Sequence, residues 1–600
     1  MLTLVFNSTV RRTDSATPPV RPPVTETGYL YVRDMFDVDP EAQGTTYYFD
    51  PDATGTNTGL THANAFNTAA HINSKNFSVG DSLLFLAGSK TLVTEKIRNT
   101  TMVGGYQNPF YVGAYHLESG VPVRGLGGDA RPIIEGLDSS DFDPYQGGSM
   151  TNAQLMAMIP TPESTGGIYS QGTLKGLFNW YRDVPYDLYL WIQDIHVARS
   201  GGRAFRFSQS SGGSATGLLV ENVFCEGTQK QSIHLAGVFD AIIEDVGHTW
   251  TSFEKHYWNP SSNRQAATAV KGSRNPGGKY ETPSNVWFVN NYVYDGWSSE
   301  GLNSNSGNRD CSFIDNFVVD QGIYGIYIDR TSNALVEKNI VIRTSRTAFD
   351  DYTGIGSPNG RGVCGIMLQN ESAIGSFPWN QYSTAADWEN YKTHDVLVRN
   401  NFSAGWSASW GLHSQASAKT GEFHTGREHG TRCYWYGNVS LHAVVAHHMF
   451  DTFNQAPDYQ IDMTNPPRFW GNVYLNNIDM SVRTGPTDVG DLFDANYFNY
   501  TPPTDYNNGA ITTGFSMSAT NWDDLSYLMT TDGDGHMSED QLKSFRADVY
   551  SRLPPTAVTG SGKAFSAYTN PTGYSMSDVN GEDFVGDNYS TTREVGAFAS

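Results

Sequence analysis

Short apolar runs, each introduced by an Asn or Asp, recur along the middle of the chain. In nine places a polar residue or Gly precedes the Asn or Asp, and an apolar residue follows it: 193–195, 221–223, 244–246, 290–292, 315–317, 338–340, 400–402, 437–439 and 471–473. The tightest intervals are 23 and 25 residues, and longer ones indicate the same unit with an inserted loop. A period of about 20–50 residues is typical of a solenoid. Asn at each bend tolerates left-handed backbone, and its amide can stack on the amide of the next coil.

A second repeated strand lies between these bends and alternates apolar and polar residues. Because side chains alternate across a strand, the polar members should face outward on successive coils, about 4.8 Å apart. The predicted outward column is Arg206, His234, Lys271, Asn303, Tyr327, Met367 and His413, with Asn305, Asp329, Gln369 and Gln415 two residues further on. This elongated polar surface, interleaved with aromatic residues, would suit an extended polar polymer.

The segment 47–93 has a different pattern. A short strand leads into a Gly/Asn turn, and Asn67 or Thr68 can then cap a short helix whose apolar residues include Phe66 and Ile72. A Val-Gly-Asp turn leads into the strand Ser82–Leu86. The passage YYFDPDATGTNTGLTHANAFNTAAHINSKNFSVGDSLLFLAGSKTLV resembles the opening segment of right-handed parallel β-helix proteins of the pectate-lyase-like superfamily. In that superfamily the helix covers the open end of the core.

The repeat and the resemblance together predict an all-β chain folded as a right-handed parallel β-helix, with a short N-terminal capping helix and a small C-terminal helical insertion. Residues 1–28 form a Pro-rich arm, and residues 29–95 form the opening segment and cap. Residues 96–485 form the coils, with loop insertions at 248–266 and 370–393. Residues 486–600 close the β-helix, ending in Val-Gly-Ala-Phe, which resembles the last strand of superfamily members.

The C-terminal part contains two predicted helices, 521–529 and 539–552, on either side of a run that resembles half of an EF-hand loop. Asp532 and Asp534 are the weak candidates for a Ca²⁺ site, but Thr530 and Gln541 occupy loop positions where carboxylates are expected. A helix and turn of this kind also resembles one near the end of some superfamily members. We therefore expect no cofactor.

Composition and charge limit the classes of ligand that the chain is expected to bind. Of 600 residues 61 are Gly, 17% are charged, and the net charge is −23, which excludes nucleic acid as a probable ligand class. The four cysteines are far apart and form no Cys-x-x-Cys pair, so neither a zinc site nor a disulfide framework is predicted. No apolar run is long enough to span a membrane. The start, MLTLVFNSTVRRTDS, has no secretory signal pattern.

The resemblance implies a polysaccharide as ligand, because superfamily members include polysaccharide lyases, glycosidases, esterases and phage tailspikes. A Pro-rich arm without a visible secretory signal resembles a bacteriophage tailspike or tail fibre. The expectation is then a homotrimer in the virion, outside the cell, that attaches through its arm to a virion partner and binds and cleaves a host surface polysaccharide. The alternatives are a non-enzymatic receptor-binding or structural virion protein and a free polysaccharide lyase. The net charge favours a neutral or locally steered glycan.

Two chemistries of cleavage remain open, with hydrolysis favoured over β-elimination. A glycoside hydrolase needs two carboxylates, and Glu300 and Asp329 are the candidates. They should stand on adjacent coils but five positions apart, about 16 Å, unless the chain bends at Gly301. Asp320 and Asp295 are the alternative carboxylates. The other interpretation of Glu300 and Asp329 is that they are solvated turn or hydrogen-bonding residues.

A lyase needs a base and a cation that neutralises the substrate carboxylate. Lys271, Tyr327 and His234 share the predicted outward column, with Arg274 and Arg330 nearby. The two insertions are rich in aromatic side chains, which stack on sugar rings. The predicted substrate-binding residues are Arg206, His234, Asn303, Met367, Gln369, His413, Trp250, Trp258 and Trp297.

Overall fold

The structure is a computed structural model of the 600-residue chain. It describes these residues: 26–136, 177–182, 186–200, 202–209, 215–228, 231–251, 268–271, 273–274, 280–281, 285–296, 300–305, 308–343, 364–370, 393–406, 408–414, 432–441, 445–451, 467–470, 472–475, 482–483, 493–494, 496–498 and 538–552.

Three long sheets, named A, B and C, form the faces of a parallel β-helix, which confirms the predicted fold class. The chain passes from A to B to C and then to the next coil, so that each strand pairs with its equivalent one coil away. Sheet A contains β1 (Thr46–Phe49), β2 (Ser82–Leu86), β4 (Phe110–Glu118), β5 (Val121–Arg124), β8 (Tyr186–Gln193), β11 (Ala215–Glu221), β14 (Val238–Glu244), β19 (Val286–Val289), β22 (Asn308–Arg309), β23 (Cys311–Ile314), β26 (Thr331–Glu337), β29 (His394–Arg399), β32 (Cys433–Tyr436), β35 (Arg468–Trp470) and β38 (Phe493–Asp494).

Sheets B and C form the other two faces. Sheet B contains β3 (Lys90–Leu92), β6 (Ile133–Glu135), β9 (His196–Ala198), β12 (Phe224–Thr228), β15 (Gly247–Thr251), β20 (Tyr292–Gly296), β24 (Phe317–Gln321), β27 (Ile340–Ile342), β30 (Phe402–Ala404), β33 (Val439–Leu441), β36 (Val473–Leu475) and β39 (Tyr497–Phe498). Sheet C contains β7 (Phe178–Arg182), β10 (Phe205–Gln209), β13 (Ile233–Ala236), β16 (Thr268–Lys271), β21 (Glu300–Asn305), β25 (Tyr324–Asp329), β28 (Cys364–Asn370), β31 (Ala408–Ser414), β34 (Val445–Asp451) and β37 (Val482–Arg483). A separate antiparallel pair consists of β17 (Ser273–Arg274) and β18 (Tyr280–Glu281).

The core lies inside the three sheets and is built from in-register stacks. Phe178 stacks on Phe205 with ring centroids 5.3 Å apart, and Phe288 stacks on Phe313 at 4.7 Å. Like residues on successive coils therefore place aromatic rings face to face, with a large apolar burial at each level.

An asparagine ladder runs along the bend between sheets A and B. Each Nδ2 donates to Oδ1 of the next member at 2.8–3.0 Å, and each backbone N–H donates to the same oxygen; the members are Asn291, Asn316, Asn339, Asn401, Asn438, Asn472 and Asn496. Left-handed backbone is found at the residue that precedes a ladder asparagine. Asp315 and Lys338, for example, have φ of 55° and 56°. The repeat read from the sequence therefore merged two neighbouring positions, a left-handed bend residue and an amide that stacks.

In the earlier coils only the bend residue is polar. Asp194, Asn222 and Asp245 have φ of 59°, 50° and 56°, and the position after each is apolar. At this outer position side chains also pair between coils, because the Asn222 amide donates to Asp194 Oδ1 and the Asn290 amide donates to Asp245 Oδ1 at 2.8 Å. The predicted pairing between coils is therefore present at these residues, but outside the inner ladder.

The predicted capping helix is confirmed as α2 (Ala69–Ser74), with Thr68 as its N-cap residue. Ile72 is buried in the same core cluster as Phe66. The Asn99 amide donates to the carbonyls of Ile72 at 2.7 Å and Lys75 at 2.5 Å, which satisfies the end of the helix.

A helix that the sequence analysis did not predict, α1 (Glu26–Asp34), lies across the outer face of sheet A. Val32 belongs to the same cluster of buried apolar residues as Leu219 and Ile242 of that face. Arg33 forms ion pairs with Glu221 at 2.7 Å and with Glu244. The helix begins within the last three residues of the predicted arm 1–28, of which residues 1–25 lie outside the described part.

The predicted helix 539–552 is confirmed with the same bounds as α3 (Glu539–Arg552). Ser538 and Gln541 form reciprocal hydrogen bonds, Ser538 N to Gln541 Oε1 at 2.6 Å and Gln541 N to Ser538 Oγ at 3.3 Å, a capping box. The helix packs on the middle coils, with the Phe545 ring 5.3 Å from that of Phe317. Strands β38 and β39 still belong to the coils, so the repeat continues past the predicted boundary at 485.

Residues 248–251 of the first predicted insertion are part of strand β15 rather than a loop. The rest of that insertion, and residues 371–392 of the second, lie outside the described part, as do the predicted helix 521–529, Asp532 and Asp534. All four cysteines are free and buried: Cys225, Cys311, Cys364 and Cys433. None of the described helices has the length and apolar character needed to cross a membrane.

Candidate functional site

The outer face of sheet C carries the residues that the sequence analysis selected. Strand register places a first outer column on it: Asn179, Arg206, His234, Ala269, Asn303, Tyr327, Met367 and Gly411. The residues on either side of Arg206, Phe205 and Phe207, are in the core, so alternation directs this column outward. Arg206, His234, Asn303, Tyr327 and Met367 are therefore aligned as predicted.

The predicted position of Lys271 is wrong by two residues. Ala269 pairs with His234, and Lys271 pairs with Ala236 and Asn305. The apolar pattern suggested that Val270 should stand opposite Ile233, but Thr268 takes that inner position. Thr268 is fully buried and its hydroxyl hydrogen-bonds His248 Nε2 at 3.1 Å, a polar contact inside the core that the apolar pattern misses.

The predicted position of His413 is wrong for a similar reason. Gly411 pairs with Met367, and His413 pairs with Gln369. The aligned inner residue is Trp410 rather than Leu412, and the outward residue is a glycine, which carries no polar signal. Lys271 and His413 thus join a second outer column: Lys271, Asn305, Asp329, Gln369 and His413. Gln415, predicted for this column, lies outside the described residues.

This face is far less exposed than the sequence led us to expect. Asn303 is 4% exposed, Gln369 2% and Asp329 0%. Glu300, His234, Tyr327 and Met367 are also buried. Arg206 and Asn305 are partly exposed, so the two columns meet the surface at these residues.

Tyr327 and Met367 belong to an apolar cluster on this face, together with Ile323, Tyr324, Cys364 and Ala408. The Tyr327 ring stacks on that of Tyr324 at 4.9 Å. Their packing accounts for their burial, and a role in ligand contact is not needed to explain it. The polar positions of the face therefore lie on both sides of an apolar patch.

Glu300 and Asp329 are not brought together. Glu300 pairs with Tyr324, and Asp329 lies five residues further along that strand, about 16 Å away, as the sequence predicts. Gly301 does not join them, because the strand register continues across it, from Glu300 opposite Tyr324 to Leu302 opposite Ile326. Asp329 instead forms an ion pair with Arg330 at 2.8 Å.

The alternative carboxylates stand closer. Tyr294 pairs with Val319 and Gly296 with Gln321, so Asp295 and Asp320 occupy equivalent positions on the adjacent strands β20 and β24. Adjacent strands are about 4.8 Å apart. Asp320 is 1% exposed and has left-handed backbone, φ 51°. The register thus favours this pair over Glu300 and Asp329.

Three amide oxygens on the outer columns have no hydrogen-bond partner among the described residues. They are Oδ1 of Asn179, Oδ1 of Asn303 and Oε1 of Gln369, and each residue is at least nine-tenths buried. A buried acceptor without a donor costs about 1–3 kcal/mol. These atoms therefore provide unused hydrogen-bonding capacity along one face of the solenoid.

Some predicted residues are not placed at this site. Trp258 and Trp297 lie outside the described residues, and for Trp250 the structure describes only its position in strand β15. Within the described residues, no group of three or more His, Cys, Asp or Glu side chains is arranged to hold a metal ion.

No protein family and no curated protein matches the sequence. Among solved structures the fold is similar to a rhamnogalacturonan lyase, at 12% identity and a TM-score of 0.42, over 74% of this chain and 90% of that chain. It is similar to pectate lyase Pel9A at 13% and 0.36, over 95% and 99%, and to the GH136 lacto-N-biosidase from Eubacterium ramulus at 13% and 0.38, over 76% and 63%. The chain thus spans less than two thirds of the biosidase. At these values the similarity carries no argument about activity.

Proposed function

We propose that this protein binds an extended polysaccharide along the outer face of sheet C and cleaves it, by hydrolysis rather than elimination. The unpartnered oxygens of Asn179, Asn303 and Gln369 are the observation that supports the proposal. Each is an acceptor, and sugar hydroxyl groups are donors. A ligand that supplies hydroxyl groups at regular intervals would satisfy these atoms.

The spacing of the three residues suits a polymer. Asn179 is on β7 and Gln369 on β28, which are separated by six strand spacings of sheet C, about 29 Å. A single sugar ring cannot contact both ends of such a strip. Arg206 and Asn305, which are partly exposed, are the points at which a chain would first meet it.

Hydrolysis is supported by Asp295 and Asp320. They lie near the ends of the adjacent sheet B strands β20 and β24, just before the chain enters sheet C, and this strand spacing fits a retaining glycoside hydrolase, in which the two carboxyl groups are about 5–5.5 Å apart. One carboxylate would attack the anomeric carbon while the other protonates the leaving oxygen. Elimination remains the second candidate, because Lys271, the candidate base, lies in an outer column of this face. In the same column the charge of Asp329 is compensated by Arg330.

We also propose that the protein is the homotrimeric tailspike or tail fibre of a virion, attached through residues 1–28. In support of this, α1 is held on sheet A by the Arg33 ion pairs, so an arm that precedes it would leave the solenoid from one defined point. Light scattering coupled to size exclusion tests the oligomer: a mass of three chains is expected, and a monomer would contradict this part of the proposal.

The test of cleavage is product analysis on a panel of bacterial capsules and lipopolysaccharides. New reducing ends without ultraviolet-absorbing unsaturated sugars are expected for hydrolysis. Unsaturated products would mean a lyase, and bound but intact polymer would mean a binding protein. Failure to bind any polymer on the panel would contradict the proposal as a whole.

Single substitutions test which residues carry out the cleavage. Asp320→Asn should lower the cleavage rate about 10²–10⁴-fold. Glu300→Gln and Lys271→Ala test the two earlier assignments and should reduce cleavage little. Asp187→Asn, at an exposed carboxylate on sheet A, is the matched control and should cleave at the wild-type rate. Full activity of Asp320→Asn would remove this residue from the mechanism.

A further inference from the structure

A second group of polar side chains lies on the outer face of sheet B, near the N-terminal end of the solenoid. Register aligns Leu92, Glu135, Ala198, Glu226 and Thr249 on five successive strands. Their neighbours Ile134, Val197 and Cys225 are in the core, so this column faces outward. None of these residues lies on the sheet C face described above.

The two glutamates of the column are two strands apart, with the small side chain of Ala198 between them. Two strand spacings put their Cα atoms about 10 Å apart. Inverting glycoside hydrolases hold their two carboxyl groups about 6.5–9.5 Å apart, which leaves room for a water molecule. Glu135 and Glu226, separated by an alanine, fit this arrangement.

Basic residues distinguish the two carboxylates. Lys90 Nζ and Arg199 Nη1 contact the same oxygen of Glu135, Oε1, at 3.0 and 2.6 Å. His196 Nε2 is 3.1 Å from Glu226 Oε2. Glu135 thus has its negative charge compensated by two cations, whereas Glu226 contacts a group that can exchange a proton.

An independent observation points to a ligand at this place. Thr249, the next residue of the column after Glu226, is fully buried, and its hydroxyl has no hydrogen-bond partner among the described residues. At the other end of the column Leu92 is 47% exposed, so the column begins at the surface. A hydroxylated ligand that enters past Leu92 would meet both carboxylates and could satisfy the Thr249 hydroxyl.

We propose that Glu135 and Glu226 form a second carbohydrate site, one that hydrolyses an O-glycoside with inversion. Glu135 accepts a proton from a water molecule, whose oxygen bonds to the anomeric carbon. The bond from that carbon to the leaving oxygen breaks, and Glu226 gives its proton to the leaving oxygen. Exchange of one proton with solvent at each carboxyl group restores the pair. The site goes beyond the proposed function, since its carboxylates are residues other than Asp295 and Asp320 and it needs no long polymer.

The experiment uses a panel of short aryl glycosides, which cannot span the sheet C face, with the full-length protein. Proton NMR of the first product should show the anomer opposite to that of the substrate. Glu226→Gln should lower the rate about 10²–10⁴-fold. Glu118→Gln, at an exposed glutamate on β4, is the matched control and should keep the wild-type rate.

Because Glu135 is buried between two cations, Glu135→Gln should destabilise the fold, and Thr249→Val therefore provides a second probe. Its hydroxyl has no described partner, so the melting temperature should stay the same or rise while kcat/KM falls about tenfold. No hydrolysis of any glycoside, retention of configuration, or an undiminished rate in Glu226→Gln would each overturn the inference. Loss of polymer binding alone would contradict the sheet C proposal and leave this result unaffected.

Discussion

At the scale of single residues, the solenoid depends on two adjacent positions at the bend between sheets A and B. One residue adopts left-handed backbone, and the next points inward and joins the amide ladder. Asn suits both positions, which is why the two were merged when only the sequence was considered. The distinction matters because the two positions respond differently to substitution.

Asn339→Ala should destabilise the protein by about 3 kcal/mol. The Asn339 side chain donates to Asn401 Oδ1 and to the Phe313 carbonyl at 2.9 Å each, and accepts from Asn316, and all of these groups are buried. Denaturant unfolding measures the loss. Lys338→Asn, at the left-handed residue next to it, is the control and should change stability by less than about 0.5 kcal/mol. Equal effects of both substitutions would contradict the separate roles.

His248 makes the folded state sensitive to acid. Burial lowers the pKa of this interior histidine from 6.5 to about 3. Between these values the unfolded chain binds a proton that the folded chain does not, so this residue lowers stability by about 1.4 kcal/mol for each pH unit of acidification. Stability should therefore increase with pH from about 3 to 6.5.

The double variant His248→Val/Thr268→Val tests this dependence without leaving the Thr268 hydroxyl unpaired. We measure the free energy of unfolding from pH 4 to 7. Below pH 6.5 it should depend on pH less steeply in the double variant than in the wild type, by about 1.4 kcal/mol per pH unit. Cys225→Val, at the neighbouring inner position of sheet B, is the control and should keep the wild-type slope. A double variant with the wild-type slope would show that His248 is not the source.

The same scale shows what the sequence could predict about the site. Arg206, His234, Asn303, Tyr327 and Met367 were aligned correctly, because an apolar residue flanks each on its inner side. Lys271 and His413 were misplaced where Thr268 and Trp410 take inner positions and Gly411 an outer one. Burial of the whole face could not be predicted, because a polar outward side chain has the same sequence pattern whether or not it is covered.

At the scale of elements, local sequence patterns predicted the helices α2 and α3. Thr68 precedes α2, and Ser538 with Gln541 forms the capping box of α3. Helix α1 was missed because it follows a Pro-rich run, and because Val32 in the helix and Met35 and Phe36 just after it matter only against sheet A. Tertiary contacts of this kind leave no periodic signal in a nine-residue helix.

Helix α3 should be held on the coils mainly by Arg546. This buried guanidinium pairs with Asp315 at 2.7 Å and lies over the Tyr292 ring at 5.1 Å, and it also contacts Asn290 and Tyr550. The Arg546 side chain is 9% exposed, so its removal deletes all of these contacts at once. Arg546→Ala should therefore release α3, seen as rapid proteolysis within 538–552.

The matched control for that experiment is Asp540→Asn, at an exposed residue of the same helix. It should be cut at the wild-type rate, because it contributes no buried contact. Equal protection of α3 in the wild type and in Arg546→Ala would show that the Phe545 contact with Phe317 is sufficient to hold the helix.

At the scale of the whole molecule, the described coils account for the high Gly and Asn content and for much of the length of the chain. They also show that the net charge of −23 is not spread evenly. In the described part of the two outer columns of sheet C the acidic residue is Asp329, and Arg330 pairs with it. The face proposed to bind the polysaccharide is therefore not itself acidic, so the overall charge does not decide the charge of the ligand.

The central claim is that the outer face of sheet C binds a polysaccharide through amide oxygens that have no partner in the free protein. The direct measurement is the affinity of the wild type and of Asn303→Leu/Gln369→Met for a polymer that the wild type binds, with the melting temperature of each. Both substitutions keep the shape of the side chain and remove an unpartnered acceptor. We predict an affinity lower by about tenfold or more and a melting temperature that is unchanged or higher. Unchanged affinity, or a large loss of stability, would contradict the account.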